Sequence, residues 1–202
     1  MITALSASKE KIFAQTGLDG YCPICEEKLI PKCGRINIRH WSHTTFSEHC
    51  EHERETKWHL EWKSLFNINN VEVVVNKNDK RKLTDAKLKN GLCVEFQHSP
   101  ISVDEILERE KFYGNMIWVF DCRDAYNENR ILLRRRREYS GSDLMSFRWL
   151  HAKKNIAYTT KPTYLDLGEH ILRLKKIGNK APTGGYGFIR PKSELVEYFT
   201  SK

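Results

Sequence analysis

The pattern of apolar and polar positions divides the chain into a short-element opening and a more regular middle. Residues 1–20 mix the two classes and turn at Gly17-Leu18-Asp19-Gly20, which predicts a strand-rich or irregular lead-in. Residues 21–50 are dense in Cys and His, and residues 31–39 are short, polar and turn-rich. From about residue 50 to residue 66 the pattern turns helical. Trp58, Trp62 and Leu65 fall at i, i+4 and i+7 as one apolar stripe, and Glu55, His59 and Lys63 recur every four residues beside it. Three strand-like runs follow, over 71–76, 82–89 and 92–98. Lys77–Lys80 and Asn90-Gly91 are the turn signals, and Asn-Gly favours a two-residue hairpin. In the third run Cys93, Glu95 and Gln97 share one face and Leu92, Val94 and Phe96 the other. Residues 102–113 read as a helix with Ser102 as N-cap and Glu105 completing a capping box, and 116–121 as a buried strand.

Beyond Asp121 the periodicity predicts a strand carrying a basic run over 130–137 and a short helix over 143–149. Strands follow over 156–160, 164–167 and 170–176, then a flexible loop at Gly184-Gly185-Tyr186-Gly187 and a closing helix over 193–199. The order helix, three strands, helix, strand predicts an α/β (α+β) core. Three segments are expected: a metal-binding module over 1–50, the core over 51–125, and an extension of unassigned role over 126–202.

Composition narrows the classes. The 202 residues are 40% hydrophobic and 30% charged with both signs interspersed, which is globular rather than disordered. Met116–Phe120 is too short to cross a bilayer, and residues 1–15 lack an apolar core of signal-peptide length, so a cytoplasmic protein with no membrane partner is expected. The net charge of +8, from 34 basic and 26 acidic residues, favours an anionic partner, with nucleic acid the default and a solvated basic surface the plain alternative.

Reduced cysteines at tight spacing point to metal or redox chemistry. Cys22-Pro23-Ile24-Cys25 precedes His40-Trp41-Ser42-His43, and two such pairs can make a tetrahedral S2N2 site suited to structural zinc. Cys22, Cys25, His40 and His43 are the preferred ligands; Cys33, His49, Cys50 and His52 lie near enough in sequence to substitute. A thioredoxin-like role for Cys-x-x-Cys lacks its βαβ setting.

Asp85 precedes the Asn90-Gly91 hairpin and Glu95 follows it, so the two carboxylates are expected roughly opposite each other. Such a pair can share a Mg2+ ion through oxygen ligands, and the ion can activate water and stabilise charge on a phosphodiester. The spacing Asp85, nine residues, Glu95-Phe96-Gln97 resembles the PD-(D/E)XK nuclease signature, with Gln where Lys is usual. The wider context resembles the competence-protein CoiA family over about residues 20–120. It is carried by Tyr21–Cys25, His40–His43, Glu55-Thr56 with His59 and Lys63, Asp85, Glu95–Ser99 with Ile101-Ser102, and Arg109 with Tyr113. The resemblance implies a restriction-endonuclease-like core behind an N-terminal zinc ribbon or knuckle. It implies Asp85 and Glu95 as Mg2+ or Mn2+ ligands, Glu55 as a third acidic group, and Gln97 in the place of the usual Lys. Gln carries no positive charge for the transition state, which His59, Lys63 or Lys87 would supply.

Arg134, Arg135, Arg136 and Arg137 form a basic run. With Lys63, Lys87 and Arg109 they are the expected phosphate contacts, and a charged edge that discourages strand pairing is the alternative for the run. The resulting expectation is a Mg2+- or Mn2+-dependent deoxyribonuclease in DNA uptake, recombination or defence against foreign DNA. Its alternatives are a DNA-binding protein of nuclease fold without turnover and a zinc-module interaction protein. A homodimer or a recombination or uptake partner is compatible with either.

Overall fold

The computed structural model describes residues 1–36, 38–44, 55–135, 143–178 and 183–201, and it is a mixed α+β structure dominated by sheet. Two compact units, 1–94 and 95–202, meet in sequence between Val94 and Glu95.

The first unit opens with five short strands: β1 (Thr3–Leu5), β2 (Lys11–Phe13), β3 (Gly20–Tyr21), β4 (Lys28–Lys32) and β5 (His40–His43). They form an antiparallel sheet in the order β2-β1-β3-β4-β5. Its core is small: Met1, Ala4, Ala14, Cys22, Leu29 and Trp41. Gly20 is needed there, because a Cβ at that position would lie 2.7 Å from the Trp41 ring.

Helix α1 (Lys57–Lys63) starts at Thr56, whose hydroxyl accepts from the His59 N–H while the His59 ring receives the Thr56 N–H. This is a capping box with an imidazole in place of the usual Glu or Gln. Trp58 and Trp62 are buried edge to face, with ring centroids 6.5 Å apart. The predicted stripe stops there: Leu65 lies past the Ser64 cap and is exposed, and Glu55 precedes the cap and is not on the helix.

Strands β6 (Val71–Lys77) and β7 (Lys80–Lys87) make an antiparallel ribbon. Asn78 and Asp79 turn it at φ 49° and 58°, the pair of left-handed residues that a two-residue hairpin demands. The next connection differs from the expected two-residue turn. The Leu88 N–H donates to the Leu92 carbonyl at 2.9 Å, enclosing Lys89-Asn90-Gly91, and only Gly91 of the three goes left-handed, at φ 81°. That is the three-residue form, in which glycine takes the left-handed position. Strand β8 (Cys93–Gln97) begins in register with β7 through Lys87↔Cys93 and Ala86↔Val94. The alternation expected along it is hidden, because all five residues are buried.

The second unit holds α2 (Val103–Tyr113), β9 (Met116–Asp121), the short α3 (Arg123–Asn127), β10 (Ile131–Arg135), β11 (Leu144–Trp149), β12 (Thr163–Asp166), β13 (His170–Ile177), β14 (Thr183–Pro191) and α4 (Lys192–Thr200). Its strand order is β10-β11-β14-β13-β12-β9-β8, with β12 parallel to β9 and β10 through β14 antiparallel among themselves. Ser102 caps α2 as predicted, accepting the Glu105 N–H at 3.1 Å. The buried Glu110 ties α2 onward, accepting from the Trp118 indole at 3.0 Å and the Thr160 N–H at 2.9 Å.

Three expectations are corrected in this unit. Residues 144–149 form strand β11, not a helix, because β10 and β14 offer hydrogen-bonding edges on both sides. Lys154–Tyr158 is a 3-10 turn that buries Ile156, where a strand was expected. The glycine cluster at 184–187 is inside β14. A Cβ at Gly185 would stand 2.1 Å from the Lys176 carbonyl oxygen, and one at Gly187 would stand 2.3 Å from that of Arg173, so these glycines admit a close strand rather than loosen a loop. Among the described residues no helix is long and apolar enough to cross a membrane.

Candidate metal centre and buried ion clusters

Cys22 leaves β3 into a tight knuckle. The Glu26 N–H returns to the Cys22 carbonyl at 3.0 Å, the Cys22 N–H reaches the Glu27 carbonyl at 2.9 Å, and Glu26 takes φ 63°. The Ile24 N–H points at the Cys22 sulfur at 3.4 Å. His43, the last residue of β5, brings Nε2 to 3.3 Å from the Cys25 sulfur. The ligand atoms of Cys22, Cys25 and His43 all lie within 4.8 Å of one another, a grouping that no other three His, Cys, Asp or Glu residues achieve among the described residues. Tetrahedral zinc with ordinary bond lengths separates a thiolate sulfur from an imidazole nitrogen by about 3.5 Å, so the donor set fits that ion in type and spacing. Burial, offset by Glu27, lowers the His43 pKa and favours the neutral ring that binds metal.

The structure brings together three of the four ligands expected from the sequence. His40 stays outside the group, with Nδ1 2.8 Å from the Ile38 carbonyl. The reason is the strand: three residues apart on β5, His40 and His43 face opposite sides. Of the substitutes, Cys33 packs against the small apolar core, and His49, Cys50 and His52 lie outside the described residues.

Behind this sheet the same unit buries an ion cluster. Lys63, only 3% exposed, places Nζ 2.8 Å from Asp85 and 3.2 Å from Glu72, and also contacts Glu55. The Met1 amino group is 2.8 Å from Glu55. Burial opposes charge on Glu55, yet Lys63 and the Met1 amine together hold its carboxyl well below the usual range. Burial likewise opposes charge on Lys63, and Asp85, Glu55 and Glu72 outweigh it, raising its pKa well above the ordinary value. Glu72 is fixed further by the N–H groups of Ile2 and Thr3 at 2.9 and 2.8 Å and by the Thr3 hydroxyl at 2.6 Å, and it sits at φ 48°. Lys63, expected to contact phosphate, is enclosed by three carboxylates. His59 is spent on the cap of α1 and on an edge contact with Trp58. Lys87 is half-buried at the end of β7.

In the second unit Glu95 is buried, with Oε2 2.8 Å from Arg109, whose other nitrogen is 2.5 Å from Glu105. Arg109, expected at phosphate, is therefore committed to two carboxylates. The Gln97 amide donates to the Ser99 carbonyl at 3.0 Å. Sequence reasoning missed Glu72 and a cluster around Asp121. His98 Nδ1 is 2.9 Å from that carboxylate, Arg123 grips both its oxygens at 2.9 and 3.0 Å, and Lys153 donates to the carbonyls of His98 and Asp121 at 2.5 and 3.3 Å. Burial opposes the Asp121 charge, but hydrogen bonds from Arg123 and His98 lower its pKa. A carboxylate closing an otherwise apolar strand was the available signal. Arg134 and Arg135 are exposed at the end of β10; Arg136 and Arg137 lie outside the described residues.

Residues 6–53 match the family model of the competence protein CoiA N-terminal domain. The matched span contains Cys22, Cys25 and His43, so the metal group lies in the part of the chain that is CoiA-like. No curated protein and no solved structure matches the chain.

Proposed function

We propose that the chain is a metal-dependent nuclease of the PD-(D/E)XK kind that processes DNA in competence, with a zinc-stabilised N-terminal module. The observation that carries the reading is the register of β7 on β8: Ala86 pairs with Val94, and their chain neighbours are Asp85 and Glu95. The CoiA-like span supports the competence setting. Asp85 and Glu95 would hold Mg2+ or Mn2+, and such an ion supplies an activated water and stabilises phosphodiester charge; Glu55, expected as a third carboxylate, does not group with them. The protein's own side chains prepare these groups. Lys63 pairs with Asp85 and Glu55, Arg109 pairs with Glu95, and the turn at Ser99 fixes the Gln97 amide. The Cys22, Cys25 and His43 group would close the N-terminal sheet around zinc.

The test is cleavage of single-stranded, duplex and branched DNA with Mg2+ or Mn2+. The reading expects cleavage that a chelator stops and that Glu95→Ala abolishes; equal activity in the variant defeats it. One observation favours a second reading, a nuclease-fold DNA-binding protein without turnover. The Lys63 ammonium already compensates Asp85 at 2.8 Å, and Gln97 replaces the usual cation. DNA binding indifferent to chelation, with no cleavage of any substrate, selects that reading.

A further inference from the structure

The sheet of β10 through β14 packs one face on the core; on the other, Leu144, Ile171 and Asp166 are buried at one end, and the rest carries exposed cations and half-buried rings. Ile131, Phe147, Trp149 and Leu172 are buried on the inner side. The register aligns the opposite side in rows: Tyr164 beside Arg173 beside Phe188, and Lys176 beside Tyr186 beside Ser146 beside Arg134. The cations of these rows are exposed and the three aromatic rings are half-buried. A bulge between Leu174 and Lys176 breaks the alternation of β13. Lys175 as well as Lys176 thereby reaches this side, with the Lys175 ammonium 5.5 Å from the Phe188 ring centre. Arg173 covers Tyr164 in the same way at 5.9 Å. Asp166 is the one carboxylate in all five strands, and it is fully buried against Lys192 at 2.8 Å.

We propose that the cation-bearing part of this second face is a binding platform for single-stranded nucleic acid, with Tyr186 and Phe188 stacking bases and Arg173, Lys175 and Lys176 holding the phosphates. Tyr186 and Phe188 are two residues apart on β14, which separates them by about 6.7 Å. That is about twice the 3.4 Å repeat of a stacked strand, so bases on the two rings are splayed from each other. A duplex keeps its bases stacked and paired, whereas an unpaired strand offers their faces to rings set in a sheet. The cations follow the backbone and carry no sequence information, so the platform accepts strands of any sequence. It operates whether or not Asp85 and Glu95 hydrolyse anything.

The experiment is fluorescence anisotropy of a labelled oligothymidylate with the full chain in chelator, so that cleavage does not enter. Single-strand binding tighter than binding to a duplex of equal length is expected; a preference for the duplex overturns the proposal. Tyr186→Ala should weaken binding by roughly 5- to 100-fold, the ordinary loss of one base-stacking partner. Tyr186→Trp should keep the affinity and add an indole whose emission the oligonucleotide quenches. Replacing Lys175 and Lys176 with Gln should reduce the slope of log affinity against log salt by about 1.4, at about 0.7 per cation on a single strand. Circular dichroism and melting temperature identify variants that fold. A folded Tyr186→Ala that binds like the parent, or an unchanged salt slope in the lysine pair, refutes the platform. If nuclease activity is absent and these binding effects persist, the hydrolytic reading fails alone.

Discussion

Lys63→Met tests how the first unit is held together. The substitution keeps most of the side chain's apolar volume and removes the ammonium that contacts all three of Glu55, Glu72 and Asp85. Removing one partner of a buried pair costs about 3–5 kcal/mol, because the opposite charge is left uncompensated. Here three carboxylates lose the same cation, so the upper part of that range is expected, a large share of a domain stability of about 5–15 kcal/mol. At a urea m-value of about 2 kcal/mol/M this moves the midpoint down by about 1.5–2.5 M. Tryptophan fluorescence reads the transition, since Trp58 and Trp62 are buried on the helix that carries Lys63. Acid adds a sign to the prediction. In the parent, Glu55 has a depressed pKa, so its contribution is full above the unfolded value of about 4.3 and is lost as pH falls through the folded one. Lys63 has a raised pKa, so its contribution is full below about 10.4 and is lost only as pH rises through its higher folded value. Without the cation the carboxylates repel one another and protonation relieves them. The variant therefore gains stability relative to the parent between pH 7 and pH 5. A loss under about 1 kcal/mol, or the same loss at both pH values, refutes the assignment of Lys63 as the cluster's counter-charge.

Purified protein should carry one zinc ion per chain by elemental analysis; Cys25→Ser and His43→Ala should lose it, while His40→Ala should retain it. Cobalt in place of zinc should give a thiolate charge-transfer band that vanishes in Cys25→Ser, which reads the ligand set without any activity assay. Gly187→Ala should destabilise the second unit by about 1–3 kcal/mol in a urea titration, because the added methyl meets the Arg173 carbonyl. Thr56→Ala should cost about 1 kcal/mol and reduce helical circular dichroism, since the hydroxyl caps α1.

The middle of the chain was the most legible. Valine-rich residues 71–75, the Ser102 cap and the uniformly apolar 116–120 each combine a local preference with the tertiary setting, and β6, α2 and β9 follow within a residue or two. The Cys-x-x-Cys knuckle was legible for the same reason, because a two-residue gap can close on one ion in almost any fold. His40 was misjudged because ligand spacing says nothing about the strand that carries it. Residues 143–149 read as a short helix; the neighbouring edges of β10 and β14 decided otherwise. The glycines at 184–187 looked like slack, and only the approach of β13 reveals them as clearance. Glu72 gave no signal, because its value lies in partners about seventy residues earlier.

That separation has a consequence for how the polypeptide assembles during synthesis. The amide donors of Ile2 and Thr3 find their acceptor only after residue 72 has emerged, so the first strand waits for the ribbon before its edge is complete. The small sheet that carries the Cys22–Cys25–His43 knuckle is therefore completed only together with the ribbon. It is joined through Glu72 to the tryptophan-bearing helix, so Cys25→Ser or His43→Ala should loosen Trp58 and Trp62 along with the strands that hold the knuckle.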